Sequence, residues 1–346
     1  MQCHFSLKLS DNHRPAHRPA HRPPHWLLIC AMLAALAWPA TTWAQAWPAG
    51  KTIRLVIPFP AGGATDIIGR TLAQGLATAL GQQVVVDNKP GAGGTIGADM
   101  VAKAAPDGYT LVMATSSTHS IGPALNARMP YDAFKDFAPV SHVANAPSVL
   151  VVGKDSPAAS AQDLIKLVKT NPGKYNFGSS GIGTYPHLAA EMLKWRAGGL
   201  FVVHIPYRGT GLVVTDLIAG QIAFLMDSVV SAQPHISGGR VRPLAVTGAR
   251  RLGSMPTVPT FTEIGVPGME FSNWFGVLAP AGTPPDIVQR LNREFNTLLR
   301  SPDVIDKLNK AGAEVAGGTP EQFAKTYRDE NESWKAVIKR ANIRAE

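Results

Sequence analysis

The residues best placed to do chemistry fall in short stretches rich in Gly, Ser and Thr. Pro60-Ala61-Gly62-Gly63-Ala64-Thr65-Asp66 follows the apolar run Ile53 to Ile57, and Thr115-Ser116-Ser117-Thr118-His119 follows another at Leu111. Further along come Gly178-Ser179-Ser180-Gly181-Ile182-Gly183-Thr184, then Tyr207-Arg208-Gly209-Thr210, then Asp227-Ser228. Most of these open directly into helical periodicity. Glycines at such a turn let backbone N–H groups approach a ligand, with the positive end of the helix dipole behind them. The chemistry this suits is the binding of an oxyanion. Each side chain has two readings. Asp66 would cap a helix or contact a ligand. Ser179, Ser180 and Thr184 would cap the following helix or converge on a guest. His187 would pack in a first helical turn or reach a ligand. Arg208, beside Tyr207 and Gly209, would be a solvated charge or an anion partner. Asp227 would meet a ligand amine or water, or satisfy loop amides.

Enzymatic patterns fare worse. Gly178-Ser179-Ser180-Gly181-Ile182 misses the G-x-S-x-G elbow because its second glycine falls one place early. Gly91, Gly93, Gly94 and Gly97 lack the dinucleotide-binding spacing, as does Gly181-Ile182-Gly183, and no P-loop lysine signature occurs. His119, His142, His187, His204 and His235 are scattered, without H-x-x-x-H or H-E-x-x-H. The expectation is therefore no enzyme, no metal and no cofactor. A hydrolase using Ser179 or Ser180 remains as an alternative; it requires ester turnover that alanine at either serine abolishes.

Residues 1–46 read as a secretory signal peptide: a basic, proline-rich stretch, an apolar segment from Trp26 to Trp38, and small residues at Ala44 and Ala46. His13, His17, His21 and His25 recur every four residues inside this leader, where repetition is a simpler account than metal binding. Both cysteines, Cys3 and Cys30, lie there too, so the exported chain would hold no disulfide or thiolate site. The leader carries Lys8, Arg14, Arg18, Arg22 and Asp11, which takes three charges from the chain's net +9. The remaining positive charge is spread without long runs, which argues against nucleic acid and suits a small anion.

The elements that must position these loops alternate. Strands are expected at Ile53–Ile57, Val84–Val86 and Leu111–Ala114, with helices carrying Ile68, Leu72, Leu76 and Leu80, and then Gly94 to Ala105. This βαβαβ order implies parallel strands covered by helices. A second series has strands at Ser148–Val152, Tyr175–Phe177, Phe201–Ile205, Ile222–Met226 and Pro243–Val246. Its helices are one started by Ser160 and Asp163, then Pro186–Trp195 and Leu212–Ala219. Trp274–Leu278 returns as a strand, followed by helices at Pro285–Leu299, Pro302–Asn309 and Pro320 to about Ile343. Periodicity leaves open whether the two units are sequential or the tail packs back on the first. In either case ligands belong at strand carboxyl ends, where loops converge.

IRLVIPFPAGGATDIIGRTLA, VVVDNKPGAGGTIGADMVAKAAPDGYTLVMAT, YNFGSSGIGTYPHLAAEML, HIPYRGTG with DLIAGQIAFLMDS, and WFGVLAPAGTP together resemble the tripartite tricarboxylate transporter receptors, the Bug family of periplasmic proteins. The resemblance spans the chain from Trp47 onward and implies a two-lobed, type II-like periplasmic-binding-protein fold, each lobe a mixed sheet flanked by helices, with two interlobe crossovers. Lobe I would be 47–145 plus 270–346, and lobe II 146–269. It implies a monomer in the periplasm that binds a small organic anion, a carboxylate, and meets integral-membrane transporter subunits transiently. An exported sensor subunit feeding a membrane signalling protein is the alternative with the same cleft. Carried over by position, the grip involves Pro60, Ala61, Gly62, Gly63, Asp66 and Ser116 from lobe I. From lobe II it involves Ser179, Ser180, Gly181, Gly183, Thr184, Tyr207 and Asp227. The sequence departs from the family pattern at Leu212-Val213-Val214, where a proline-alanine pair is common.

Overall fold

Apolar runs and glycine stops account for the first elements. β1 (Ile53–Ile57) is almost entirely buried, and α1 (Ala64–Leu80) turns Ile68, Leu72 and Leu76 into the same core. Gly81 ends α1 in the left-handed conformation, φ 62°, which glycine adopts without steric cost. β2 (Val84–Asn88), a short 3₁₀ turn (Ala92–Gly94), α2 (Thr95–Ala102) and β3 (Thr110–Thr115) follow, with β1 parallel to both β2 and β3. The computed structural model describes residues 47–344; the leader, with its cysteines and histidines, lies outside the described residues.

The strand expected at Ser148–Val152 is longer. β4 runs from Phe137 to Gly153. Pro139, Asn145 and Pro147 break its alternation in the sequence, and the ladder to β9 (Ser272–Pro280) absorbs the interruptions with register shifts after Pro139 and His142. Through Pro147, β4 pairs with β9. From Ser148 onward it pairs with β7 (Phe224–Ser228) and β8 (Val241–Val246). One strand therefore belongs to two sheets.

The first sheet has the order β2-β1-β3-β9-β4, with β10 (Glu314–Val315) also on β4. The second has the order β4-β7-β5-β6, with β5 (Asn176–Ser179), β6 (Val203–Pro206) and β8 added on β4. Both mix parallel and antiparallel pairs, the two-lobed architecture. Where the chain returns after β8 it is tied to β4: Ser148 N donates to Thr247 Oγ1, and Thr247 N to Ser148 O, each at 2.8 Å.

A widened helical turn (Ser117–Ile121) and α3 (Gly122–Leu125) follow β3. The second lobe carries α4 (Ala161–Thr170), α5 (Tyr185–Arg196), α6 (Thr210–Ile218) and α7 (Val229–Ser237). The sequence reading has no α7, because Val229-Val230 continues an apolar run and Pro234 interrupts the helical pattern. The tail is α8 (Pro285–Leu299), α9 (Pro302–Ala311) and α10 (Pro320–Ala341). Phe323 and Tyr327 of α10 pack with Trp274 of β9, whereas Trp334 and Ile343 join the core holding Tyr185 and Leu188 of α5. α10 therefore contributes side chains to two separate apolar cores.

Candidate functional site

Four helices begin around one cavity, and each follows a strand: α1 after β1, α5 after β5, α6 after β6 and α7 after β7. Their N-cap residues, Gly63, Thr184, Gly209 and Ser228, make no side-chain cap bond. α4, α9 and α10, which add nothing to the cavity, are capped by Ser160, Ser301 and Thr319. An uncapped N-terminus keeps N–H donors and the positive end of the dipole available to an outside acceptor.

The cavity holds about 40 Å³ of free space, room for a few water-sized groups. From the first lobe come Phe59, Pro60, Ala61 and Gly63 of the β1–α1 turn, Ala64 and Thr65 at the start of α1, Thr115 at the end of β3 and Ser117 just after it, and Asn273 and Phe275 of β9. The second lobe contributes Ser180, Pro186, Thr210, Gly211, Asp227, Ser228 and Ser231. No Lys, Arg or His is among the lining residues. The lobes meet beside the cavity: Tyr185 N, at the start of α5, donates to Ser117 Oγ at 2.9 Å, and Gly209 lies against the Pro60 ring.

Asp227 is 1% exposed. Its Oδ1 accepts from Ser228 N at 2.8 Å, and Oδ2 has no partner among the described residues. Burial pushes its carboxyl up to about 7, against the lowering influence of the Ser231 hydroxyl and the Ser228 N–H. Ser228 Oγ and Asn273 Oδ1 also lack partners. Buried polar atoms are nearly always paired, and the cavity wall carries three that have no partner among the described residues.

Of the residues singled out from the sequence, the structure brings Pro60, Ala61, Gly63, Ser180 and Asp227 to the cavity. Tyr207 and Arg208, with Gly181, line an adjoining groove between the lobes instead. The others serve the loops themselves. Asp66 accepts from Gly62 N at 2.9 Å, from Arg70 and from Asn88. Burial alone would raise its pKa; those bonds outweigh burial and hold it low. Gly62 is exposed and spends its N–H on that carboxylate. Ser116 donates to Glu330 and accepts from Trp274 N. Gly183 N donates to His187 Nδ1, and the Thr184 hydroxyl donates to Gly181 O. His187 stacks on His204 with ring centroids 4.1 Å apart, and burial, then His204 and Lys194, depress it to about 3.

Ser179 lies 2.7 Å from His204 Nε2, the geometry a hydrolase would use. Its hydroxyl is fully buried, however, and closes its own loop by donating to Gly181 O and accepting from Gly181 N. Ser180 has only Thr184 as partner. Neither serine is an accessible, activated nucleophile. The departure at Leu212-Val213-Val214 also misses the cavity: Leu212 is exposed and both valines are buried in the second-lobe core, while Thr210 and Gly211 just before them form the wall. Sequence reasoning missed Thr65, Ser117, Ser228, Ser231, Asn273 and Phe275. Ser117 and Ser228 lie in the same hydroxyl-rich loops as Ser116 and Asp227. Asn273 carries no local signal, since it lies in β9, whose partner strands are distant in the chain.

The family model for the tripartite tricarboxylate transporter family receptor matches residues 68–343. BugT of Bordetella pertussis is 38% identical over 307 residues, covering 88% of this chain and 93% of its own. An R. palustris protein solved with adipate is 37% identical with a TM-score of 0.83, over 86% of this chain and 98% of that one. MatC from Rhodopseudomonas palustris, solved with bound malate, is 32% identical with a TM-score of 0.80, over 84% and 99%. The matched family is one of receptors, not of enzymes. With a cavity ringed by helix N-termini between two lobes, the match over most of the length places this chain in the tripartite tricarboxylate transporter receptor family.

Proposed function

We propose that this protein is an exported, periplasmic and monomeric receptor that closes on a small organic carboxylate and delivers it to a tripartite tricarboxylate-type membrane transporter. The observation that carries the reading is the convergence of four N-termini without side-chain caps on a cavity with no cationic side chain. Such a site recognises an anion through main-chain donors and hydroxyls. Micromolar affinity needs about 8 kcal/mol. Helix ends supply about 0.3–2 kcal/mol each, and hydrogen bonds to a charged group about 1.5–3 each. Several together reach that figure without an arginine clamp, and they come apart when the lobes separate. The relatives solved with adipate and malate support the same ligand class. No helix among the described residues is long and apolar enough to cross a membrane, so delivery falls to partner subunits.

The test is calorimetry and thermal shift with malate, adipate, citrate, benzoate and glutamate. Stabilisation by at least one acid is expected; no response across mono-, di- and tricarboxylates would remove the receptor reading. Cellular uptake of the bound acid should then fall when the gene is deleted, and uptake that persists unchanged would remove the transporter from the proposal.

A further inference from the structure

Asp227 poses a chemical problem for an anion receptor. It is the penultimate residue of β7, with Val149 of β4 directly opposite, and it is the sole titratable side chain on the cavity wall among the described residues. A guest carboxylate entering that cavity comes up against a wall that already carries one buried carboxylate, and no cationic side chain lines it. Two like charges in one dry site do not both remain ionised.

The neighbouring elements offer no rescue. α5 carries Tyr185 and His187, the latter engaged by Gly183 N, as well as Glu191 paired with Lys194, and Arg196 stacked on Trp195. α6 carries Asp216, bound to Tyr207; α7 carries His235, at its last turn; β4 carries His142, in its first-sheet half, bonded to Asn145. Arg242 of β8 donates to the carbonyls of Lys154, Ser156 and Ala158, and Asp66 at the start of α1 is held by Arg70. None of these bonds to Asp227.

We propose that Asp227 binds the anion as a neutral acid: one proton is taken up from solution with the guest, and the Oδ2–H donates its hydrogen bond to the guest's carboxylate. The inference rests on the receptor reading above, because it requires an anion in this cavity. An O–H donor facing a carboxylate makes one of the stronger hydrogen bonds available to a side chain. It also gives the orphaned Oδ2 a partner. Since burial already pushes the carboxyl up to about 7, protonation near neutral pH comes at little cost.

The experiment is calorimetric titration with malate and adipate at pH 6, 7, 8 and 9, in phosphate and in Tris. Simple carboxylic acids are ionised throughout most of this window, so the guest's own protons do not change above pH 7. The expected result at pH 8 is close to one proton taken up per guest, read from the difference in heat between the two buffers. Affinity should be flat below about pH 6 and fall up to roughly tenfold per pH unit above 7. Asp227→Asn keeps a neutral donor in the same place, so its binding should lose both the buffer dependence and the pH slope. Should that variant fold poorly, proton uptake by the parent protein decides the matter alone. Buffer-independent heat with pH-independent affinity overturns the proposal while leaving the receptor reading intact. Glutamate bound without proton uptake also overturns it, since its ammonium would be meeting an ionised Asp227. No binding of any acid overturns both.

Discussion

Gly209→Ala would drive a wedge between the lobes. The added carbon would lie 2.4 Å from Pro60 Cγ and 2.8 Å from Pro60 Cδ, whereas carbon atoms rest about 3.5–4.0 Å apart. Gly209 is the N-cap of α6 in the second lobe and Pro60 belongs to the β1–α1 turn of the first, so on the proposed closing motion the overlap would be relieved when the lobes part. Relief requires the loops to part by roughly 1 Å. Overpacking of this kind costs about 1–3 kcal/mol, which, charged to closure, weakens binding by about 5–150-fold. Gly209 also has φ 113°, where an alanine is strained whatever the lobes do. Gly220→Ala separates the two effects, because Gly220 has φ 74° and nothing within 4 Å of the added carbon. Both variants should melt somewhat earlier than the parent. Only Gly209→Ala should lose calorimetric affinity for the acid that stabilises the parent, and only it should stay open by small-angle scattering. Equal affinities in the two variants would refute the reasoning.

Ser117→Ala removes the acceptor for Tyr185 N across the lobes; an unsatisfied buried donor costs about 1–3 kcal/mol, so affinity should fall by up to two orders of magnitude with less change in the unliganded melting temperature. Asp66→Ala strips partners from Gly62 N and Asn88 and should lower stability by about 1–3 kcal/mol, read by urea unfolding at pH 7. Because Asp66 is depressed in the folded state, that contribution exists above the unfolded carboxyl pKa and disappears as pH falls through the lower folded value, so the parent and variant should converge in strong acid. His119 and His187, at about 3, and His204, at about 4, stay neutral when folded; acidification from 6.5 toward 4 should therefore destabilise the protein, and His187→Gln should lessen the slope. A melting temperature that rises over that interval in the parent, and is unaffected by His187→Gln, would contradict this. Asp227 has the opposite sign: raised in the folded state, it costs stability as pH climbs through about 7, so Asp227→Asn should raise the unliganded melting temperature at pH 8 and gain less at pH 5.

Much of the chain could be read locally. The helix Pro285–Leu299 appears with its expected bounds because apolar Ile287, Leu291 and Phe295 recur every fourth residue behind a proline start. Ser160 and Asp163 form the capping box their spacing implied. The long β4 was not legible, because its prolines contradict strand pattern and only the bulged pairing with β9 makes room for them. α7 was hidden for a related reason: nothing in VVSAQP marks where a buried strand gives way to a helix.

The amino-acid sequence by itself determined the glycine and hydroxyl turns at the strand ends and the helices they open into. Those features depend on backbone geometry and capping, which are decided within a few residues. Tertiary structure alone decided which of those residues line the cavity. Asp66 and Ser179 are spent inside their loops, Ser117 reaches a helix 68 positions away, and Asn273 arrives from the returning strand. A side chain's role in a cleft between lobes depends on partners brought up by the opposite lobe, and no local pattern encodes them.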